Sequence, residues 1–388
     1  VILFALPLIT PRSFTFITGK LACLNGRFSL SVVSLLVAAM SGSNIEEMMQ
    51  YMPKPLEDAI QTKTEIYEMS LSERRNKLNP RILEILGKGS FGAVFRVRRL
   101  SDDKKLAMKC ESYWARRKIL QHEAKVYESL RRIDSPHFIT LEDRGRLPSR
   151  FIFVVMKLVG STLWDLRIKS PERKFSMVTS IRAAEQTLAG IRDLHLCGYI
   201  HRDIKPPNFA IGREEDGDLH TIYIIDFGLS RKYRTENNDL RHEREKVPFR
   251  GTTRYASISA LELKEQSRKD DVESWWYMVL EWMIGELPWQ KIKSKDHDTV
   301  RQRKMELREE KNLKKVLEGT PEEYMTRIIL YIDTLEYASV PDYDHIAALL
   351  EAAMEAYDLK YADPPDWDLM VAYLGPRYEK DPHYTLKS

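Results

Sequence analysis

The chain has 388 residues, of which 43% are hydrophobic and 30% are charged. This balance is typical of a globular protein with a sizeable core and excludes a largely disordered chain. The net charge of +4 is too small to argue for nucleic acid as a partner. The basic residues Arg96, Arg98 and Arg99 fit a solvated face as well as a binding patch. The three cysteines are scattered without metal-ligand spacing, which favours a reducing compartment.

Residues 1–40 are apolar, with Arg12, Lys20 and Arg27 as their only charged residues. The stretch from Phe28 to Met40 has the length of a signal-peptide core and is short for a membrane span. Two interpretations compete: a genuine leader or anchor, or non-native upstream sequence with the true start at Met40. We favour the second, because the cysteines show none of the pairing that is typical of secreted proteins. Residues 41–79 are charged and mixed, and we interpret them as an N-terminal extension.

From Ile82 onward the pattern is that of strands. Two antiparallel strands flank a glycine turn, and a third short strand covers Lys104 to Cys110. A helix is predicted from Gln121, followed by an apolar strand from Arg150 to Gly160. Together these elements predict a small antiparallel β-sheet lobe with one helix over residues 80–158.

Residues 159–358 are predicted to form a larger, mainly helical lobe, which makes the fold class α+β with two lobes. Apolar residues recur at helical spacing from Met177 to Leu196, and Gly198 follows as a helix end. The segment from Asp271 is apolar on nearly every face and is predicted to be the central buried helix. Residues 301–319 are charged and predict one solvated helix. The tail at 359–388 is expected to lie along the surface as extended chain.

A glycine-rich turn and a strand lysine form the first chemical signal. Glycines in GKGSFGAV, from Gly87 to Val94, allow backbone amides to approach phosphate oxygens without a Cβ clash. Lys109 on the third strand would pair with phosphates and be held by a helix carboxylate, for which Glu123 is the best candidate. Taken alone, each of these signals is weak.

The second signal is far more specific. HRDIKPPN begins at His201, and IDFG ends at Gly228. Asp203 would orient a substrate hydroxyl and accept its proton, Lys205 would neutralise the transferred phosphate, and Asn208 and Asp226 would hold magnesium. Phosphoryl transfer spreads charge over oxygens, so it needs fixed cations and donors more than covalent chemistry. His201 is expected to be a buried packing residue.

The full set resembles a eukaryotic protein kinase over about Ile82 to Tyr357. Lys205 resembles the loop of Ser/Thr kinases. The usual APE ending is replaced by RGTTRYASISALE from Arg250, which is similar to the casein kinase 1 superfamily. FRGTTRYAS, NFAIG, LPWQKIK and PDYDHI look most like its tau-tubulin kinase branch. Asp271 would then anchor the catalytic-loop backbone.

The resemblance implies ATP and Mg²⁺ as cofactors. Met156 resembles the gatekeeper residue of the family. Residues 157–159 resemble the hinge that contacts adenine, and Asp165 resembles the residue that contacts ribose. The nucleotide-binding residues implied in this way are Gly87, Lys88, Gly89, Ser90, Phe91, Gly92, Val94, Ala107, Lys109, Met156, Lys157, Leu158, Val159 and Asp165.

Arg254, Lys291 and Lys293 resemble the family's pocket for acidic or phosphorylated substrates. An arginine fork with nearby lysines suits a phosphate or carboxylate. The alternative is that Arg254 pairs with Glu243 or Glu245 of the activation loop. Two departures from the family, Ser259 for Asn and Trp276 for a small residue, bear on substrate preference and packing.

The sequence therefore predicts an ATP-dependent protein serine/threonine kinase that prefers acidic or pre-phosphorylated sites. Its expected partners are Ser/Thr-bearing proteins, cytoskeletal or acidic, with no nucleic acid and no oligomer. We expect a cytoplasmic, and also nuclear, location. Two other classes stay open: a scaffold that binds partners without turnover, and a membrane-associated or lumenal kinase if residues 1–40 are genuine.

Overall fold

The computed structural model describes residues 80–89, 92–115, 117–147 and 151–380. Its first lobe is an antiparallel sheet with the strand order β1-β2-β3-β5-β4 and one helix, α1, which contacts β3, β4 and β5. The elements are β1 (Pro80–Gly89), β2 (Gly92–Arg99), β3 (Lys105–Ser112), α1 (Ile119–Leu130), β4 (Leu141–Leu147) and β5 (Phe151–Lys157). The predicted β-sheet lobe with one helix is confirmed. The expectations for residues 1–79 lie outside the described residues.

Strand β4 was not predicted from the sequence. Its segment, LEDRGRL, carries four charged residues between two leucines and resembles a loop. It is an edge strand of the sheet, where one side needs no partner and charges discourage pairing with another chain. One of these charges, Arg144, pairs with Glu128 of α1 at 2.8 Å. The basic residues that precede it in the lobe are also paired: Arg96 lies 2.9 Å from Glu84.

The second lobe is mainly helical, as predicted. Its helices are α2 (Leu163–Lys169), α3 (Met177–Leu196), α4 (Ile258–Leu261), α5 (Arg268–Ile284), α6 (His297–Glu306), α7 (Glu310–Leu317), α8 (Glu322–Asp333) and α9 (Tyr343–Ala356). Helix α5 is buried on all sides and lies against α3, where Trp275 Nε1 donates to Thr187 Oγ1 at 3.0 Å. It is the central core helix that its all-round apolar sequence indicates. No helix in the described part of the chain is both long and apolar enough to cross a bilayer.

The prediction of helix over residues 301–319 is confirmed, but that of one continuous and solvated helix was wrong. The structure has two helices there, α6 and α7, separated by a turn. The turn rotates α7 so that Leu313 and Leu317 are buried in the core. On α6, Val300 and Lys304 are also buried. The high charge of the segment concealed this sparse apolar pattern.

Two small β-ladders position the loops between the lobes. Strand β6 (Tyr199–Ile200) pairs with β9 (Arg231–Lys232), and β7 (Phe209–Ile211) pairs with β8 (Ile222–Ile224) in antiparallel register. Because β7 and β8 are antiparallel, the residue before β7 and the residues after β8 lie at the same end of the ladder.

From the end of α9 to residue 380, where the described part of the chain ends, no further helix is formed. Asp366 accepts hydrogen bonds from Ser176 N at 2.6 Å and from Thr179 Oγ1 at 2.9 Å, which fastens it to the start of α3. Tyr361 donates to Glu185 Oε1 at 2.6 Å on the same helix. The tail is thus held to α3 by specific polar contacts.

Candidate functional site

Lys109 is the centre of an ion network between the lobes. Its Nζ lies 2.7 Å from Glu123 Oε2 on α1 and 3.0 Å from Asp226 Oδ1 in the second lobe. Strand β3 presents Lys109 in register between Val94 and Val154. The predicted pair of strand lysine and helix carboxylate is therefore formed.

Burial and charge pairing act in opposite directions on the pKa values of this network. Burial alone would lower the pKa of Lys109. The carboxylates of Glu123 and Asp226 outweigh this effect and hold the pKa of Lys109 above its usual value. Burial raises the pKa of Glu123, which Lys109 only partly offsets. Burial also opposes ionisation of Asp226, but the neighbouring ammonium of Lys109 holds the pKa of Asp226 below its usual range. The side chain of Asp226 is half exposed and can accept a further ligand.

Helix α1 is positioned by a residue that the sequence analysis missed. Glu111, at the end of β3, accepts hydrogen bonds from Ile119 N at 3.0 Å and Leu120 N at 3.4 Å. Lys118, at the N-cap position, makes no side-chain cap of its own. Glu111 is 3% exposed, so a buried carboxylate caps the helix from the neighbouring strand. In the sequence, only the position of Glu111, two residues after Lys109, pointed to a role near the site.

The β7–β8 ladder brings the two predicted metal ligands together. Asn208 directly precedes β7, and Ile225 N donates to Asn208 O at 2.9 Å just before Asp226. Asp226 has a left-handed backbone with φ of 64°, as does Arg202 with φ of 66°. Non-glycine residues adopt this region rarely, and such strain is concentrated at functional sites.

This pair suits a divalent cation that is also bound by phosphates. Among the described residues no cluster of three His, Cys, Asp or Glu side chains forms a closed metal cage. Mg²⁺ prefers one or two protein oxygen ligands together with substrate phosphates and water. The half-exposed carboxylate of Asp226, with the Asn208 amide at the same end of the ladder, matches that requirement.

Asp203 lies at the centre of a tight polar cluster. Lys205 Nζ is 2.7 Å from its Oδ2, and Thr252 Oγ1 donates to its Oδ1 at 2.7 Å. Lys205 also donates to Thr252 Oγ1 at 3.0 Å, and Asn208 Nδ2 donates to Asp203 O at 2.8 Å. Gly251 permits this approach, because a Cβ there would lie 2.6 Å from Arg202 O. The carboxylate is thus held beside a cation in a position to accept a proton from a hydroxyl.

The loop that carries Asp203 is hydrogen-bonded to helix α5. Asp271 accepts the backbone N–H groups of His201 at 2.6 Å and of Arg202 at 2.8 Å. His195 Nε2 donates to the same carboxylate at 2.9 Å. Burial opposes its ionisation, but these hydrogen bonds hold the pKa of Asp271 below its usual range. The role predicted for Asp271 as an anchor is the one that the structure shows, and His201 is a fully buried residue bonded to Ile225 O at 3.1 Å.

The described residues predicted to hold a nucleotide lie on the β1–β2 hairpin, on β3, at the end of β5 with the residues after it, and on α2. Gly89 pairs with Gly92 at the end of the β1–β2 hairpin, and the backbone of Lys88 pairs with Ala93. A Cβ on Gly92 would lie 1.8 Å from Cys110 O, so only glycine fits. Ser90 and Phe91 lie outside the described residues.

The hinge prediction falls on the end of β5 and the residues after it. Met156 and Leu158 are buried and Val159 is half-buried, while Ala107 lies opposite Met156 in the sheet. The side chain of Lys157 points to the second lobe, where its Nζ bonds Asp218 and donates to Tyr223 Oη at 2.7 Å. Only its backbone is therefore available to an adenine ring.

Asp165 has a structural role that competes with its predicted contact to ribose. Its carboxylate accepts Thr162 Oγ1 at 2.7 Å and Thr162 N at 3.3 Å, and Thr162 in turn accepts Asp165 N. This reciprocal pair caps the start of α2. A ribose hydroxyl would have to share the carboxylate with the cap.

Arg254 does not pair with either activation-loop acid that the sequence suggested. Its guanidinium lies 3.3 Å from Glu281 Oε1 on α5, an oxygen that Arg167 also approaches at 3.3 Å. Arg254 borders a cavity of about 290 Å³ that Lys205 and Thr252 also line. Lys291 and Lys293 are exposed, and neither lines this cavity.

A second, more basic cleft was not predicted. It has a volume of about 550 Å³, and its described cationic lining residues are Arg117, Lys118, Arg202, Arg231, Lys232, Arg241, Arg244 and Arg250. Glu265 pairs with Arg231 at 3.2 Å and with Arg244. Burial, together with repulsion from Arg231 and Arg250, lowers the pKa of Arg202 to about 10. Positive charge is in excess here, and an anion would relieve it.

The sequence signal for this cleft was the charge-rich loop after Lys232, in which acids and bases alternate. Its net character could not be read along the chain, because Arg117 and Arg202 join it from distant segments.

Comparison with known proteins gives consistent matches. The family model described as the protein kinase domain matches residues 81–335. The serine/threonine-protein kinase spe-6 of Caenorhabditis elegans is 33% identical over 290 residues, 74% of this chain and 75% of that protein. Casein kinase I homolog 1 of Schizosaccharomyces pombe is 31% identical over 289 residues, 74% of this chain and 63% of that protein. Casein kinase I homolog 3 of the same yeast is 32% identical over 303 residues, which are 77% of this chain and 67% of that protein.

Proposed function

Because this chain belongs to the protein kinase family and is a protein serine/threonine kinase, we propose that it uses ATP with Mg²⁺ and prefers sites that are acidic or already phosphorylated. The observation that carries the proposal is the cluster at Asp203, where a carboxylate and the Lys205 ammonium lie 2.7 Å apart. A substrate hydroxyl donates to this carboxylate, and Lys205 compensates charge on the transferred phosphoryl group.

Asn208 and Asp226 would hold the magnesium ion in this proposal. The ion would supply positive charge to the phosphate oxygens. Lys109, held by Glu123, neutralises the phosphates from the opposite lobe. The residues of this chain thus surround the phosphates with cations from both lobes, which is the main requirement of phosphoryl transfer.

We assign the chain to the tau-tubulin kinase branch of the casein kinase 1 superfamily. The support is the amino-acid sequence of four segments: FRGTTRYAS from Phe249, NFAIG from Asn208, LPWQKIK from Leu287 and PDYDHI from Pro341. The relatives named as casein kinase I homologs support the superfamily. The branch itself rests on these segments.

The preference for acidic sites is supported by two basic surfaces beside the catalytic loop. Arg254 borders the cavity that also contains Lys205, although Glu281 already occupies part of its guanidinium. The basic cleft at Arg202 has a larger excess of positive charge. An anionic residue on the substrate therefore meets cations close to Asp203.

The test is phosphate transfer from ATP by the full chain onto matched neutral, acidic and pre-phosphorylated Ser/Thr peptides. We expect kcat/KM to be highest for the pre-phosphorylated peptide. Arg254→Ala and Arg231→Ala should each lower kcat/KM for that peptide about tenfold more than for the neutral peptide, since each removes a charge-assisted contact.

Arg327→Ala is the matched control, because Arg327 is an exposed surface arginine paired only loosely with Glu323 at 3.7 Å. It should leave all three peptides unaffected. Equal use of the three peptides by the unmodified enzyme would disprove the preference but leave the kinase activity intact. Absence of transfer to any peptide would argue against the proposed mechanism itself.

For partners, we propose Ser/Thr-bearing proteins of acidic or cytoskeletal character, bound by a monomeric enzyme in the cytoplasm and also in the nucleus. The support is the cationic surround of the site and the need for ATP. Gel filtration of the full chain and fractionation of cells that express it test the last two points.

A further inference from the structure

Lys304 on α6 is a lysine whose side chain is completely buried. Within the part of the chain that the structure describes, no carboxylate forms an ion pair with it. A buried ammonium without a partner acid is costly, so the groups that do surround it are informative. The Lys304 side chain takes no part in the chemistry described above.

The ammonium is bound by backbone carbonyls and aromatic rings. Its Nζ donates to Ala256 O and, at 3.4 Å, to Thr253 O. It lies 4.2 Å from the centre of the Tyr277 ring and 5.0 Å from that of Trp289, within the range of cation–π attraction. Both carbonyls belong to the segment that follows Thr252, which borders the catalytic cavity.

Two further contacts hold the same segment. Trp289 Nε1 donates to Arg254 O at 2.7 Å, and Thr253 Oγ1 donates to Ser294 O at 2.7 Å. The carbonyls of residues 253, 254 and 256 therefore all accept hydrogen bonds from side chains of the helical lobe. Thr252, which directly precedes them, donates to Asp203 through its Oγ1.

We propose that Lys304 is a positioning residue that fixes the segment from Thr253 to Ala256 against the helical lobe, and thereby sets how the protein substrate is bound beside Asp203. The carbonyls of Thr253 and Ala256 bond to the buried Nζ, and residues of the same segment line the cavity with Lys205, so a shift of the segment displaces Arg254 and Thr252. The proposal rests on the kinase activity and not on the preference for acidic sites.

The surroundings of Lys304 act in opposite directions on its charged form. Burial holds the pKa of the Lys304 ammonium well below its usual value, while Glu273 raises it and Arg308 lowers it further. The carbonyl oxygens and ring faces supply what solvation the cation has. A purely apolar side chain would fill the space but leave the two carbonyls without this donor.

The experiment compares Lys304→Met with the unmodified full chain, using a neutral Ser/Thr peptide so that any anion preference plays no part. We expect KM for the peptide to rise about tenfold, because the hydrogen bonds from Lys304 Nζ to the segment are lost. The KM for ATP should stay unchanged, since the hinge and glycine loop are remote in the fold. Hydrogen exchange should become faster in residues 252–257 and stay unchanged in α5.

Lys304→Gln keeps an NH2 donor group on a shorter side chain and should give an intermediate peptide KM. Lys314→Met, on the exposed face of α7, is the matched control and should behave as the unmodified enzyme. A folded Lys304→Met variant with an unchanged peptide KM would overturn the proposal. So would failure of both Lys304 variants to bind nucleotide, which would make this lysine a requirement for folding instead.

Discussion

The carboxylate of Asp271 accepts the backbone N–H of Arg202 at 2.8 Å and holds that residue in a left-handed conformation with φ of 66°. A buried residue of the core helix thereby determines the path of the loop that ends at Asp203. The cost of the strained backbone is offset by two N–H groups and one imidazole on a single carboxylate.

Asp271→Asn should therefore lower kcat by about 100-fold, because a displacement of about 1 Å at the catalytic group has an effect of this size. The amide nitrogen of asparagine cannot accept an N–H, so one of the loop's hydrogen bonds is lost. The KM for ATP should change little. Steady-state kinetics provide the measurement, and Asp298→Asn, at an exposed position of α6, serves as control. An undiminished kcat would show that Asp271 only stabilises the core.

Asp226→Asn should reduce transfer by about 1000-fold or more while the fold remains intact, since a neutral amide binds a divalent cation poorly and removes charge beside the phosphates. Circular dichroism and the melting temperature report on the fold. The control is Asp216→Asn, an exposed acid on a nearby turn. Retained turnover in the Asp226 variant, with magnesium as the only divalent cation, would refute the metal role.

Glu111→Ala should raise the KM for ATP and lower kcat/KM about five- to tenfold, because α1 loses its cap and Glu123 is held less firmly against Lys109. Nucleotide titration and kinetics would measure both effects. Glu128→Ala removes a surface ion pair from the same helix and should have little effect. If both variants weaken ATP to the same degree, the cap has no special role.

Glu185 should make the stability of the protein depend on pH. Burial raises the pKa of this carboxyl to about 7, with Glu351 adding to the rise, while the hydrogen bond from Tyr361 opposes it. A raised pKa in the folded state means that the stabilisation is complete below the unfolded pKa of about 4.5 and is lost as pH rises through about 7.

The free energy of unfolding, measured with denaturant at pH 5 and at pH 8, should therefore differ more between the two pH values for the unmodified chain than for Glu185→Gln. The difference attributable to this group is on the order of 3 kcal/mol. Glu355→Gln, at an exposed position of α9, is the control and should keep the pH dependence of the unmodified protein. The same pH dependence in Glu185→Gln as in the unmodified chain would exclude Glu185 as its source.

Much of the fold could be predicted because its elements carry strong local patterns. Helix α5 is apolar on all faces, and such a helix has to be buried. Strand β4 and the break between α6 and α7 were missed, since both carry many charges and gain their stability from neighbours that are distant in the chain.

The order of residue types along the chain by itself determined the chemistry. Asp203, Asn208 and Asp226 stand in the order and spacing of the protein kinase motifs, and the strand residue Lys109 before them completes the set. Carboxylate, amide and ammonium groups in these motifs suit the binding of a phosphate together with a metal ion.

Only the tertiary structure decided which groups are free to act and which are already engaged. Arg254 is already paired with Glu281, and Asp165 already caps a helix. Glu111 and Lys304 support the site from buried positions. The physical reason is that burial, desolvation and contact depend on residues far apart in the chain, and no local pattern records which of them meet.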